Sequence, residues 1–315
     1  MENAEQQRTR TRGEPWALGS VVGYASANIF DRIAVQQADS LLGPFLRGMP
    51  SLLLGLVLVW KNGTWAQMRP ASPRYVGRRA ILSFVTAGVL STIGLFAYYF
   101  AIQVGGVTIT TPVQETYVIW GTLIAWFFLK ERFHGYVLLG ILLITLGLVA
   151  LSLGEMRGSA ASAAPISSHW YWAIPLALFT AFTYGISGVL WRDGQLRGAH
   201  QSTAILLQFA SSVIVGLVGL VMLGQVGLLL TIPRGALLAL LLSGVTSGII
   251  AIYCMFTALR MMEVARVYAL TSLTPFVATL CAHFFLHEYL NLPILGGVVL
   301  VSIGVTLTQV FRSKG

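Results

Sequence analysis

Ten apolar runs, most close to twenty residues long, follow one another almost without interruption through this chain. They cover about 16–35, 40–60, 79–102, 107–129, 135–153, 170–191, 201–224, 235–259, 264–286 and 292–311. A helix of about 20 apolar residues crosses the ~30 Å of hydrocarbon in a bilayer. In that solvent each backbone N–H and C=O must be satisfied within the structure, which favours helices. The alternating pattern of a membrane barrel is absent. Only 10% of the residues are charged, against about 25% in a soluble domain. The expected fold class is an all-α polytopic membrane protein with ten transmembrane helices.

A net charge of +9 invites a nucleic-acid reading, but its placement points elsewhere. With the N-terminus cytoplasmic and the spans alternating, sixteen of the twenty Lys and Arg residues fall on the cytoplasmic side. Only Arg157 and Arg234 fall outside, while Arg32 and Arg47 lie within spans or at their edges. This is the positive-inside bias of membrane topology. No nucleic-acid partner is expected; the bilayer is the partner, and both termini are expected in the cytoplasm. Ala25-Ser26-Ala27 faintly resembles a signal-peptide cleavage site, but losing the first span would spoil the charge alternation. Cys254 and Cys281 lack metal-ligand spacing and read as small core residues.

Residues 101–147 reappear 157 positions later without gaps, with 13 identities in 47 positions. The costly matches are Glu131/Glu288, Thr122/Thr279, Gly140/Gly297 and Gly147/Gly304. A Ser- and Ala-rich linker at 154–169 separates spans 1–5 from spans 6–10. The expected organisation is a cytoplasmic tail (1–15), a five-helix repeat (16–153), the linker (154–169) and a second five-helix repeat (170–311). Five is odd, so the second copy enters from the opposite side. The halves are then an inverted repeat, a design that places substrate between its copies. Gly140, Gly147 and Gly154 recur every seven residues, as do Gly297 and Gly304, and Gly19 and Gly23 form a GxxxG. Small residues let helices approach closely in lipid. These stripes fit either packing within the chain or the seam of a homodimer.

The ten spans in two halves, the Phe-Phe-Leu-x-Glu at 127–131 and 284–288, and the glycines that follow resemble the EamA-type drug/metabolite transporters. Tyr184-Gly185-x-Ser187, Arg47 and Thr274-Pro275 resemble further features of that family. The resemblance covers about 16–311. It implies a central cavity bounded chiefly by spans 1, 3, 4, 6, 8 and 9, with alternating access. One departure stands out. The first-half equivalent of Pro275 is Val118, and a proline occurs instead at Pro112. Span 4 is therefore expected to bend elsewhere than span 9.

Glu115 is the most informative residue. An ionised carboxylate costs several kcal/mol at membrane depth unless solvated, paired or protonated. Thr108, Thr111, Glu115 and Thr122 share one helix face, so span 4 is expected to line a watery cavity. Glu115 is read as an ammonium-binding or proton-carrying carboxylate, or else as a structural partner of Arg32, Arg47 or a Tyr hydroxyl. The repeat sets Ser272 against Glu115, Thr271 against Gln114 and Tyr268 against Thr111. Span 1 adds Tyr24 and Asn28, span 3 adds Tyr98 and Tyr99, and span 6 adds Tyr184 as candidate substrate contacts. His283 is a second candidate for proton coupling, or a helix cap. Ser20 and Asp31 share the helical spacing of Tyr24 and Asn28, a stripe that fits a cavity wall, while Asp31-Arg32 also reads as a snorkelling ion pair at the headgroups.

Motifs for metalloproteases, prenyl-diphosphate chemistry, nucleotide loops and serine hydrolases are absent. No cofactor, metal or catalytic residue is expected. The leading reading is a secondary transporter of the bacterial inner-membrane type that exports small metabolites, with amino acids, especially aromatic ones, first. Efflux of organic cations is the alternative; a membrane enzyme or lipid scramblase is the alternative from another class.

Overall fold

The computed structural model describes residues 2–117, 119–121, 123–124, 135–158, 169–261, 267 and 270–312. All regular structure among them is helical. The helices are α1 (Glu2–Gln37), α2 (Gly48–Asn62), α3 (Arg78–Gln114), α4 (Gly135–Gly158), α5 (Ala173–Leu196), α6 (Gln201–Met222), α7 (Arg234–Val245), α8 (Ile252–Met261), α9 (Thr274–Leu286) and α10 (Leu292–Arg312). A π-helical stretch, Thr246–Ala251, joins α7 to α8. The short helix Gly43–Leu46 leads into α2.

Among the described residues, five helical segments are long and apolar enough to cross a membrane: Ser40–Asn62, Arg78–Gly121, Trp170–Leu196, Gln201–Met222 and Arg234–Met255. Arg78–Gly121 has 44 residues. At 1.5 Å per residue it would be about twice as long as the hydrocarbon is thick. Gly106, at φ 73° and ψ −176°, divides it. This backbone conformation is one that only glycine adopts without strain. The expected boundary between spans 3 and 4 falls there.

The outward faces are greasy. On α4, Leu139, Leu142, Leu146, Val149 and Leu153 stay about half exposed at helical spacing. On α6, Ile214, Leu217, Val218 and Val221 do the same. Soluble monomers rarely expose apolar patches of this extent, and lipid is the solvent that suits them.

The two halves interlock by exchange. Gly147 has the carbonyl oxygen of Gly297 at 2.7 Å and the amide nitrogen of Val301 at 2.9 Å from where a Cβ would stand. Gly304 meets the carbonyl of Gly140 at 2.6 Å and the amide of Ile144 at 2.9 Å. Moving by the 157-residue repeat turns each set of contacts into the other. Gly88 packs on Ser211 and Gly248 packs on Ser51, again an exchanged pair, here 160 positions apart. Reciprocal contacts of this kind are what a two-fold axis between the halves produces. The glycine stripes of α4 and α10 thus pack against each other within one chain, which removes the ground for reading them as a dimer seam. Gly23 likewise packs inward, on Ala251 and the Thr246 carbonyl.

Connections collect at the two ends of the bundle. At one end, Gln67 accepts hydrogen bonds from the His200 amide and the Thr203 hydroxyl, and Thr64 bonds Ser202. This end carries Lys61, Arg69, Arg74, Arg78, Arg79 and Arg197. At the other, Asn291 donates to the Gly154 carbonyl, Gly105 packs on Ala173, and Gly235 packs on Gln37.

Candidate functional site

Two buried polar regions lie inside the bundle, and they differ in how their groups are satisfied. The first joins α1, the turn into α2, and α3. Asp31 is fully buried. Its Oδ2 accepts from Arg47 Nη1 at 2.6 Å and its Oδ1 from the Tyr99 hydroxyl at 2.6 Å. The Tyr98 hydroxyl donates to Asn28 Oδ1 at 2.8 Å, and the Arg47 guanidinium lies over the Tyr98 ring, 5.8 Å from its centroid. Gly43 makes the packing feasible, since a Cβ there would stand 2.3 Å from the Tyr99 ring. Tyr184 on α5 lies within electrostatic reach of Arg47 and Asp31. A buried charge is tolerated when its partners are supplied in good geometry, and here they are.

The Asp31-Arg32 pair expected at the headgroups does not exist in that form. Both side chains are buried, and each binds a different partner. Adjacent residues on a helix point about 100° apart. Asp31 therefore faces Arg47, while Arg32 turns to the corner at Gly106.

The second region surrounds a break in each half. α3 ends at Gln114, and Glu115 and Thr116 form a turn before helix resumes at Tyr117. Pro112 removes the amide that would bond the Thr108 carbonyl, and the Thr116 hydroxyl caps the Val113 carbonyl at 2.7 Å. In the second half, Ser272 and Leu273 form a turn, and α9 starts at Thr274 with Pro275 in its first turn. These turns are repeat equivalents, so the expectation that span 4 bends elsewhere than span 9 is corrected. The two prolines flank these breaks from opposite sides, Pro112 before the first turn and Pro275 in the helix that follows the second.

Around these breaks, buried polar atoms lack partners. The Thr110 and Thr111 hydroxyls, Gln114 Oε1 and the Thr279 hydroxyl are buried with no hydrogen bond. Glu115 is half-buried, and no described residue hydrogen-bonds or ion-pairs with its carboxylate. Neither Arg32, Arg47 nor a described tyrosine hydroxyl holds it. Buried polar groups in native proteins are nearly always satisfied, and a cluster of exceptions asks for a ligand or water. Irregular backbone at membrane depth is tolerated where it lines a cavity.

The remaining candidates divide between these regions and their margins. Tyr98, Tyr99 and Asn28 belong to the first region, with Tyr184 beside it. Thr111, Gln114 and Glu115 belong to the second. Thr271 sits at the second-half break and accepts from the Thr274 hydroxyl through its carbonyl. Ser272 is buried and bonded to Thr306 of α10. Tyr24 is half-buried on α1 and has a partner. Tyr268 and Thr122 lie outside the described residues. His283 Nδ1 meets the Glu288 carbonyl at 2.9 Å, which ties the connection after α9 back to its last turn. The helical spacing of Asp31 with Ser20, Tyr24 and Asn28 was the signal for its interior place; the role of Glu288 was missed, and the Gly105-Gly106 pair between two spans was its signal. No cluster of metal-binding side chains occurs among the described residues.

The comparisons agree with this architecture. A solved structure titled "Crystal structure of protein" superposes with a TM-score of 0.61, covering 96% of this chain and 98% of that one. At 14% identity the likeness is one of fold. No curated protein matches the chain significantly. The EamA-like transporter family profile matches residues 11–153 and again 171–310. The chain has two copies of that family's unit, interlocked around two broken helices: it belongs to the EamA-like transporter family and is a multi-pass membrane transporter of small solutes.

Proposed function

We propose that this protein is a secondary transporter of the bacterial inner membrane that exports amino acids, aromatic ones first, by alternating access. Ten spans, in two inverted halves, would carry both termini and the 61–79 connection on the cytoplasmic side. Substrate binds at the paired breaks, with its ammonium on Glu115. The observation that carries this reading is the half-buried Glu115 carboxylate, without a described partner, beside the orphaned Thr111 and Gln114. A charge-assisted hydrogen bond from an ammonium satisfies such a group. The orphaned Thr279 hydroxyl on the facing half supplies a second acceptor or donor.

The Asp31–Arg47–Tyr99 network serves as the frame that fixes α1 and α2 against α3. Export couples to an ion gradient or to exchange, and Glu115 carries the proton if coupling is to protons. His283, bonded to the Glu288 carbonyl, holds the connection after α9 in this reading.

The test is counterflow into proteoliposomes loaded with an aromatic amino acid, an organic cation or a neutral metabolite. Uptake driven only by the amino acid supports the reading. Uptake driven by the organic cation alone replaces it with cation efflux, since an ammonium on Glu115 needs no substrate carboxylate. Orientation is read separately. Ser72→Cys should label from the cytoplasmic side and Ser162→Cys from outside, and the reverse pattern would invert the topology.

A further inference from the structure

The corner at Gly106 holds a second ion pair that the substrate site does not use. Arg32 Nη1 donates to the carbonyls of Ile102 at 2.5 Å and Gln103 at 2.8 Å, the last turn of the first part of α3. Glu288 accepts from the amides of Val107 and Thr108, each at 2.9 Å, and from the Thr108 hydroxyl at 2.7 Å. These amides open the second part of α3. A cation at a helix C-terminus and an anion at a helix N-terminus are both favoured by the helix dipole. The two side chains also meet each other, with Arg32 Nε 3.4 Å from Glu288 Oε1. Both are at most 5% exposed.

Gly106 is required twice. Its φ of 73° makes the corner, and a Cβ there would stand 2.5 Å from Glu288 Oε1. His283 adds a hold on the same connection through the Glu288 carbonyl.

Arg32 and the α3 corner belong to the first half, while Glu288 belongs to the second. All lie at the end of the bundle opposite the basic 61–79 connection. The clasp ties α1 and the end of α9 to the corner of α3, so any motion that separates α3 from α1 and α9 at this end must part it. We infer that Arg32, Gly106 and Glu288 form the gate of this end: the clasp, closed here, shuts the cavity, and its opening exposes the broken helices to that side. The inference rests on alternating access but on no particular substrate.

A buried pair that loses one member leaves the other unpaired, which penalises the closed state in which the pair forms. The probe is a single cysteine at Thr111, in a background with Cys254 and Cys281 replaced by alanine. It is titrated with a membrane-impermeant thiol reagent from each side of oriented vesicles. Glu288→Gln should raise labelling from the clasp side by roughly tenfold and lower it from the opposite side. Should Glu288→Gln fail to fold, Arg32→Gln leaves the Val107 and Thr108 bonds in place and carries the same expectation. Rates unchanged on both sides, or raised equally on both, would overturn the gate. Neither result depends on which solute is carried, so a failed counterflow assay and a failed gate are separable.

Discussion

Asp31 and Glu115 are both acids inside the bundle, and their surroundings are opposite. Asp31 has both oxygens engaged, one by Arg47 and one by Tyr99. Glu115 has no partner among the described residues and stands among hydroxyl and amide groups that also lack one. The difference separates architecture from binding. In the proposed function the satisfied charge holds parts together, while the unsatisfied acid receives the substrate. The same contrast holds for hydroxyls. Thr180 donates to the Gly94 carbonyl at 2.9 Å, whereas Thr279 donates to nothing.

The largest effect is expected at Asp31. Asp31→Ala strands Arg47 without its carboxylate, and breaking a buried pair costs about 3–5 kcal/mol. Unfolding in mixed micelles should show that loss, together with weak expression. A variant as stable as the wild type would erase the distinction between the two carboxylates.

Next comes the glycine contact. Gly297→Val drives a side chain toward the Gly147 carbonyl, 2.7 Å from the position of Cβ. Overpacking of this kind costs about 1–3 kcal/mol. Gly147→Val should cost as much, because the contact is reciprocal, while Leu142→Ala on the exposed face should change little. Unequal losses at Gly147 and Gly297 would weaken the exchanged packing of the halves.

The smallest stability effects sharpen the hydroxyl comparison. Thr180→Val should lose about 1 kcal/mol with its hydrogen bond, while Thr279→Val should be neutral or slightly stabilising, since it removes an unsatisfied group. Substrate affinity should move the other way, with a loss at Thr279 and none at Thr180.

Much of this was legible in the sequence because lipid leaves a chain few options. Apolar runs of spanning length become helices, and the internal repeat returned as two copies of one family's unit. The glycine spacing announced close contacts, though not which helix they face; both readings use the same residues, and only the register of α4 against α10 decides. Asp31 and Arg32 were misread because adjacent charges look like a pair on paper, whereas on a helix they diverge. The offset prolines Pro112 and Pro275 suggested unequal bends, yet one lies before its turn and the other after, so the turns themselves coincide in the repeat. Glu115 stood out because an acid at that depth is costly without a reason, but its lack of a partner needed coordinates. Glu131, the repeat equivalent of Glu288, lies outside the described residues, as does Tyr268.

The central claim is that Glu115 receives the substrate cation. Its most direct test is calorimetric titration of an aromatic amino acid into purified wild-type protein and Glu115→Gln, with unfolding measured on both. The variant keeps the size of the side chain and removes its charge. Stability should match the wild type, and binding should weaken by at least about 1.5 kcal/mol, the lower end for a hydrogen bond to a charged group. Equal binding, with transport showing an unchanged pH profile, would make Glu115 a structural residue and contradict the account.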